Sequence, residues 1–257
     1  IQAAVEGWFL GSYTFTLYKT QNENGANEPG DKTKRLSFID SCEKLDEASF
    51  EKACARGRAI AEATCGSRDM IAEPACNMTP SKLAALAESM TCDLVTCEIL
   101  EADEAAKLGM GAFLGVAQGS DQPPKFIAIK YSHPDAKKFY AIVGKGITFD
   151  SGGLSLKTAV GMETMKYDMA GAAAVLGVIR VMLDLKAPIN VLAVVAACEN
   201  MPSGGATKPG DILVAMNGKT IEVNNTDAEG RLTLADALCY VGQQKPDAII
   251  DIATLTG

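Results

Sequence analysis

A single histidine, His133, serves the whole chain of 257 residues. This excludes sites built on two histidines, H-E-x-x-H zinc peptidases among them, and leaves any Ser-His-Asp triad one candidate base. No two of the eight cysteines (Cys42, Cys54, Cys65, Cys76, Cys92, Cys97, Cys198 and Cys239) form a C-x-x-C pair. Neither a zinc knuckle nor a dense disulfide framework is therefore encoded. A reduced, cytoplasmic compartment is expected. No apolar run reaches the roughly 18 to 20 residues needed to cross a bilayer; the best stretch, 169–179, is stopped by Arg180. Positive charge is also short, 24 Lys+Arg against 32 Asp+Glu for a formal charge of −8. Like-charge repulsion then argues against nucleic acid and anionic membranes as partners.

What the chain does have is apolar content, at 47% of residues, and enough length for one large domain or one domain plus part of another. It opens at Ile1 without a methionine or signal sequence and stops at Gly257, just after the apolar run 248–255. We therefore expect a fragment, cut at both ends. Residues 8–18 alternate and are rich in aromatic and β-branched types, 19–34 are polar, and 35–39 are again strand-like. This pattern predicts the last hairpin-like piece of a smaller α/β domain over 1–44. A charged, Ala-rich segment follows, predicting a connecting helix over 45–72. Thr79-Pro80 has the form of a helix start, cap followed by first-turn proline.

From 73 to 257 candidate strands (94–100, 126–131, 139–143, 189–197, 248–253) alternate with candidate helices (81–90, 161–183, 232–243). Alternation of this kind predicts an α/β domain with a mixed, largely parallel central sheet and helices on both faces, here incomplete at its C-terminus. Segments 191–197 and 248–253 are apolar on both faces, as central strands require. Ligands in such sheets sit at the carboxyl ends of strands, so the loops after Val143, Ala197 and Ala253 are the places to search.

Three segments there could carry chemistry. The first is Gly144-Lys145-Gly146-Ile147-Thr148-Phe149-Asp150-Ser151-Gly152-Gly153, with Lys157 just beyond. A phosphate-binding P-loop fails on spacing, because Gly146 follows Lys145 and Phe139 stands where the first glycine belongs; a plain glycine-rich turn with solvated lysines remains open. The second, Lys166-Tyr167-Asp168, heads an apolar helix, where an aspartate often does no more than complement the helix dipole. The third is Asn224-Asn225-Thr226-Asp227-Ala228-Glu229-Gly230-Arg231-Leu232. Thr226 and Glu229 have capping-box spacing, which explains neither Asp227 nor the Gly-Arg that follows. Asp227 and Glu229, two apart, would point the same way in an extended stretch. Asp150, Asp168, Asp227 and Glu229 all fall at predicted strand ends or helix starts. Converging without cations, each close carboxylate pair would repel by about 4 kcal/mol at an effective dielectric near 20. Divalent cations would turn that repulsion into ligation, with oxygen donors supplemented at most by a neutral lysine nitrogen.

These segments, with Met165-Lys166-Tyr167-Asp168-Met169 and Cys198-Glu199-Asn200-Met201-Pro202-Ser203-Gly204, resemble the signatures of the leucyl aminopeptidase (cytosol aminopeptidase) family of two-metal exopeptidases. The similarity runs from about Glu73 to Gly257. One departure is Pro74-Ala75-Cys76-Asn77, where the family usually has Pro-Ala-Asn. The resemblance implies a metallo-aminopeptidase that hydrolyses the N-terminal residue of peptides, with a leucine-type preference. It implies that Lys145, Asp150, Asp168 and Glu229 hold one metal and that Asp150, Asp227 and Glu229 hold the other. Zinc is implied, with manganese or magnesium at one site. Lys157 and Arg231 would flank the reacting carbonyl, and Met165, Asn225 and Thr254 would line the substrate pocket. For Met165, packing in the core is an equal alternative. A bicarbonate near Arg231 and the backbone of Leu255 would serve as general base. A homohexamer of two stacked trimers is implied for the full-length protein. Two other readings compete: a non-catalytic relative acting as a scaffold, and a two-metal phosphohydrolase using the same carboxylates.

Overall fold

The computed structural model describes residues 1–20, 36–38 and 46–256. The first described element is a helix, α1 (Gln2–Ser12), where a strand over 8–18 is expected. Local β-propensity yields here to packing. Val5 is buried against α2 (Glu47–Ala72), at Gly57. The Arg58 guanidinium lies 6.0 Å from the Phe9 ring, and Arg68 lies 5.4 Å from that of Tyr13. Residues 13–20 form no strand, 36–38 have no regular structure, and the remainder of the expected strand at 35–39 lies outside the described residues. α2 is a helix where the sequence predicts one over 45–72, with Asp46 accepting from Ser49 N at 3.0 Å as its cap.

α3 (Pro80–Glu88) begins as the sequence predicts, with the Thr79 side chain accepting from Lys82 N and Pro80 in the first turn. Then come β1 (Val95–Leu100), α4 (Ala102–Lys107), α5 (Gly111–Ala117), β2 (Lys125–Tyr131) and β3 (Phe139–Asp150). The helix expected over 161–183 is broken into α6 (Ala159–Met162), a 3-10 turn (Met165–Tyr167) and α7 (Ala170–Leu185). β4 (Asn190–Asn200), the small hairpin β5 (Ile212–Val214) and β6 (Thr220–Glu222), a second 3-10 turn (Thr226–Ala228), α8 (Glu229–Gln243) and β7 (Ala248–Ile252) complete the order.

The main sheet runs β1-β2-β4-β3-β7. β1 pairs with β2 and β2 with β4 antiparallel, while β3 lies parallel to β4 and to β7. Four strands thus run one way and β2 alone opposes them, the mixed, largely parallel sheet expected. β4 is buried on both faces. Leu192, Val194, Ala196 and Cys198 pack in the core beneath α5 and α8. The alternate residues Val191, Ala193, Val195 and Ala197 pack beneath α3 and α7. α2 covers α7 from outside, and α1 covers α2. β7, over the segment whose apolar pattern suits a central strand, pairs only with β3 among the described residues, and Ile249 and Ile250 are exposed, as expected of a strand cut off from its further neighbours.

Most of what the sequence suggests is a glycine-rich loop after Val143 proves to be strand, because β3 continues through Lys145 to Asp150. It carries a bulge between Ile147 and Phe149, so that Lys145 faces Ala196 across the ladder and Asp150 faces Asn200. Lys145 and Asp150 are five residues apart and would point to opposite faces of a regular strand. The extra residue shifts the alternation by one and puts Asp150 on the Lys145 face.

Candidate active site

The carboxyl ends of β3 and β4 carry the charged residues. Lys145 is 3% exposed, and its three ammonium hydrogens have three acceptors: Asp168 Oδ1 at 2.9 Å, Glu229 Oε1 at 2.8 Å and the Thr254 carbonyl at 2.8 Å. Lys157 pairs with Asp150 Oδ2 at 2.9 Å and also with Asp227 Oδ1. All four carboxylates named from the sequence therefore lie in one cluster, each against a lysine. Asp150, Asp227 and Glu229 each offer an oxygen, and these oxygens lie within 4.8 Å of one another.

Local folding explains how they meet. Asp168 closes the 3-10 turn immediately before α7 and is 5% exposed. Asp227 sits in the second 3-10 turn and Glu229 opens α8, so the extended stretch assumed for this pair is absent. The capping box is absent as well. Thr226 Oγ1 donates to Gly152 O at 2.7 Å and accepts from Ser155 N at 2.8 Å, clipping the 151–156 loop onto the turn. Glu229, freed from capping, faces Lys145. The glycine after it has a steric reason: a Cβ on Gly230 would stand 2.4 Å from Lys145 Cε and 2.7 Å from its Nζ.

The electrostatics are unbalanced. Burial lowers the Lys145 value, but Glu229 and Asp168 outweigh it and hold the ammonium above the ordinary lysine range. Burial is also the main influence on Asp168 and raises its carboxyl against the opposing effects of Lys145 and Thr254, with Glu229 adding to the rise. The two partners of one ion pair thus shift to opposite effect: the cation is favoured and the anion is not. A single ammonium shared by two buried carboxylates accounts for both, since it cannot neutralise the pair. Burial likewise opposes the Lys157 charge, and its ion-pair contacts with Asp227 and Asp150 overcome it. Two lysines against four carboxylates leave an excess of two negative charges. Asp168 Oδ2 and Asp227 Oδ1 are buried within ion-pair distance of a lysine yet accept no hydrogen bond among the described residues. Each of these two oxygens therefore meets its lysine as an ion pair without hydrogen-bond geometry.

The other expected residues are less uniform. Thr254 belongs to the cluster, its hydroxyl donating to Asp168 Oδ1 at 2.7 Å. Asn225 caps the 3-10 turn instead, its side chain accepting from Asp227 N at 2.9 Å. Met165 is half-buried in the turn before Asp168. Arg231 is exposed, lines an open groove with Asn225 and Ala228, and makes no ion pair among the described residues. Leu255 is exposed next to Thr254. His133 lies beyond the carboxyl end of β2, at the opposite end of the sheet, where its backbone N donates to Asn190 Oδ1. That distance rules out a histidine triad at this cluster. The seven described cysteines are all free, and no helix among the described residues is long and apolar enough to cross a membrane.

Sequence reasoning assigned no role to Asn200, which is 5% exposed and touches two of the four carboxylates. Its signal was position, as the last residue of the doubly buried strand β4.

Comparison with known proteins agrees with this fold. Residues 66–257 match the catalytic domain of the cytosol aminopeptidase family. The chain is 51% identical over 263 residues to a probable cytosol aminopeptidase of Gloeobacter violaceus, covering 100% of this chain and 52% of that protein. It is 47% identical over 252 residues to the cytosol aminopeptidase of Pseudomonas aeruginosa, covering 96% and 49% respectively. Among solved structures, the bottromycin maturation enzyme BotP in complex with Mn superposes with a TM-score of 0.85 at 35% identity, covering 100% of this chain and 52% of that one. The fold is that of a peptidase catalytic domain, and the chain belongs to the cytosol aminopeptidase family. It spans about half the length of the curated relatives it matches.

Proposed function

We propose that the full-length protein is a metal-dependent aminopeptidase that releases N-terminal residues, with a leucine-type preference, from peptides. The observation that carries this reading is the largely buried cluster itself: four carboxylates and two lysines with an uncompensated formal excess of negative charge. Divalent cations fit it by charge, by the oxygen-rich donor set, and by two buried oxygens, Asp168 Oδ2 and Asp227 Oδ1, that are held only in ion pairs without hydrogen-bond geometry. Lys145, Asp150, Asp168 and Glu229 would hold one ion, and Asp150, Asp227 and Glu229 the other. Zinc is proposed, with manganese or magnesium at one site; the Mn-bound neighbour supports a divalent metal. When bound, such ions polarise a scissile carbonyl and lower the pKa of water towards neutrality.

The side chains then divide the work. Lys145 can ligate only as the neutral amine, so cation binding must displace the proton it holds here. Lys157 keeps its proton, held by Asp150 and Asp227, and can donate to the oxyanion that forms at the attacked carbonyl. Thr254 and Met165 would border the first side chain of the substrate, with Asn225 beside them. Arg231, without an ionic partner among the described residues, is the proposed anchor of a bicarbonate general base together with the backbone near Leu255. A homohexamer, a cytoplasmic location and the domain division 1–44, 45–72 and 73–257 complete the proposal. A scaffold relative would have no use for buried, unbalanced carboxylates, and the family favours peptides over phosphoesters.

The test is hydrolysis of leucine amide by the full-length protein before and after chelation, with Asp227→Ala and Glu229→Ala alongside. Activity lost on chelation, restored by zinc or manganese and absent in both variants is expected. Ordinary turnover by the chelated protein or by either variant contradicts the reading.

A further inference from the structure

We infer that Asn200 is a positioning residue for the cation site, selecting which oxygen of Asp150 and which oxygen of Glu229 faces the ions. This rests on the two-cation reading above and adds to it a residue that holds the ligands without being one.

The bulge in β3 makes Asp150 and Asn200 direct register partners at the ends of neighbouring parallel strands. The Asn200 amide nitrogen donates to Asp150 Oδ1 at 2.8 Å and to the Thr226 carbonyl at 2.9 Å, and lies 3.4 Å from Glu229 Oε2. All three neighbours are acceptors, so only the nitrogen can face them and the amide has one possible orientation. On each carboxylate the oxygen that Asn200 engages is the one the lysines leave alone. Lys157 takes Asp150 Oδ2 and Lys145 takes Glu229 Oε1. Asn200 therefore binds the back of the two carboxylates proposed to be shared and leaves their front oxygens to the cationic side.

The surroundings keep it there. Ser151 N and Oγ both donate to the Asn200 carbonyl, at 3.0 and 2.7 Å. Behind the side chain, Gly153 has φ +64°, and a Cβ there would stand 2.8 Å from Asn200 Oδ1 and 3.0 Å from Thr226 Oγ1. The backbone of Gly153 thus approaches the amide closely on that side. An uncharged donor suits this position because it orients two anions without adding a cation that would compete with the metals.

The test uses the full-length protein, stripped with chelator and titrated calorimetrically with manganese(II). Asn200→Leu keeps the number and branching of the side-chain heavy atoms and removes the donor. Loss of an outer hydrogen-bond partner of metal ligands weakens binding by about 10- to 100-fold, and that loss is expected, with the melting temperature in chelator little changed. Asn200→Ser, which keeps a short hydroxyl donor, should lose less. Affinity within twofold of the native protein in Asn200→Leu overturns the inference, whatever happens to the melting temperature. If that variant does not fold, Asn200→Ser is held to the same criterion. Native protein that takes up no divalent ion would instead overturn the two-cation reading, so the two failures are distinct.

Discussion

Gly230 and Lys145 fit together at the centre of the cluster: the first turn of α8 passes so near the lysine that a single added Cβ would stand 2.4 Å from Cε. The glycine that no capping argument explained is thus space reserved for a buried amine. Alanine in a helix interior would ordinarily stabilise by about 1 kcal/mol relative to glycine. Here overpacking by one methyl, typically costing about 1–3 kcal/mol, falls on the side chain that links Asp168, Glu229 and Thr254. Gly230→Ala is expected to lower activity on leucine amide by at least about tenfold without raising the melting temperature. A more stable variant of native activity would show that Lys145 does not need its present position.

Lys157 contacts Asp150 and Asp227 but retains its proton, so its proposed work is at the oxyanion. Loss of one such donor typically costs about 10²–10³ in kcat. Lys157→Met is expected to show a fall of that order while still binding two cations in calorimetry. Loss of a cation in this variant would make Lys157 a ligand and reverse the two lysine roles.

Asp236 lies outside the cluster and supports the layer that carries it. It is fully buried, and each of its oxygens accepts a backbone hydrogen bond: Oδ2 from Phe113 N at 2.8 Å and Oδ1 from Met216 N at 2.7 Å, tying α5 and the segment after β5 to α8. Asparagine offers one acceptor in place of two. Asp236→Asn should cost about 1.5–3 kcal/mol, the usual worth of a hydrogen bond to a charged group, read as a lower melting temperature.

Burial also holds the Asp236 carboxyl above the ordinary carboxylate value, against the pull of its backbone donors. A carboxyl raised in the folded state binds its proton more tightly there than in the unfolded chain. Native stability from this group is therefore greatest at the acid side of the unfolded value and declines as pH rises towards the folded value. Asp236→Asn should remove that part of the decline in denaturant titrations of the metal-free protein across the weakly acidic range. An unchanged slope would mean the carboxyl titrates normally.

The sequence made the four carboxylates legible because each sits where an α/β sheet presents its ligands, at a strand end or just before a helix. It did not reveal how they converge. The two-residue spacing of Asp227 and Glu229 suggested an extended stretch, whereas a 3-10 turn running into α8 brings them together. The face of Asp150 depends on one bulged residue in β3, and no period-2 pattern announces a bulge. Asn200 escaped notice because an asparagine at a strand end is ordinary until its three acceptors are in place. The strand expected over 8–18 is absent because high β-propensity is a local signal, whereas residues 8–12 belong to α1, which packs on the sequence-distant α2.

The central claim is that these carboxylates exist to hold a pair of divalent ions, and Asp150, proposed to touch both, is the residue on which to measure it. Calorimetric titration of the chelated full-length protein with manganese(II) should give two ions per chain, and Asp150→Ala should abolish at least one of the two binding events. A native protein that binds none, or an Asp150→Ala variant that binds two with native affinity, would contradict the account.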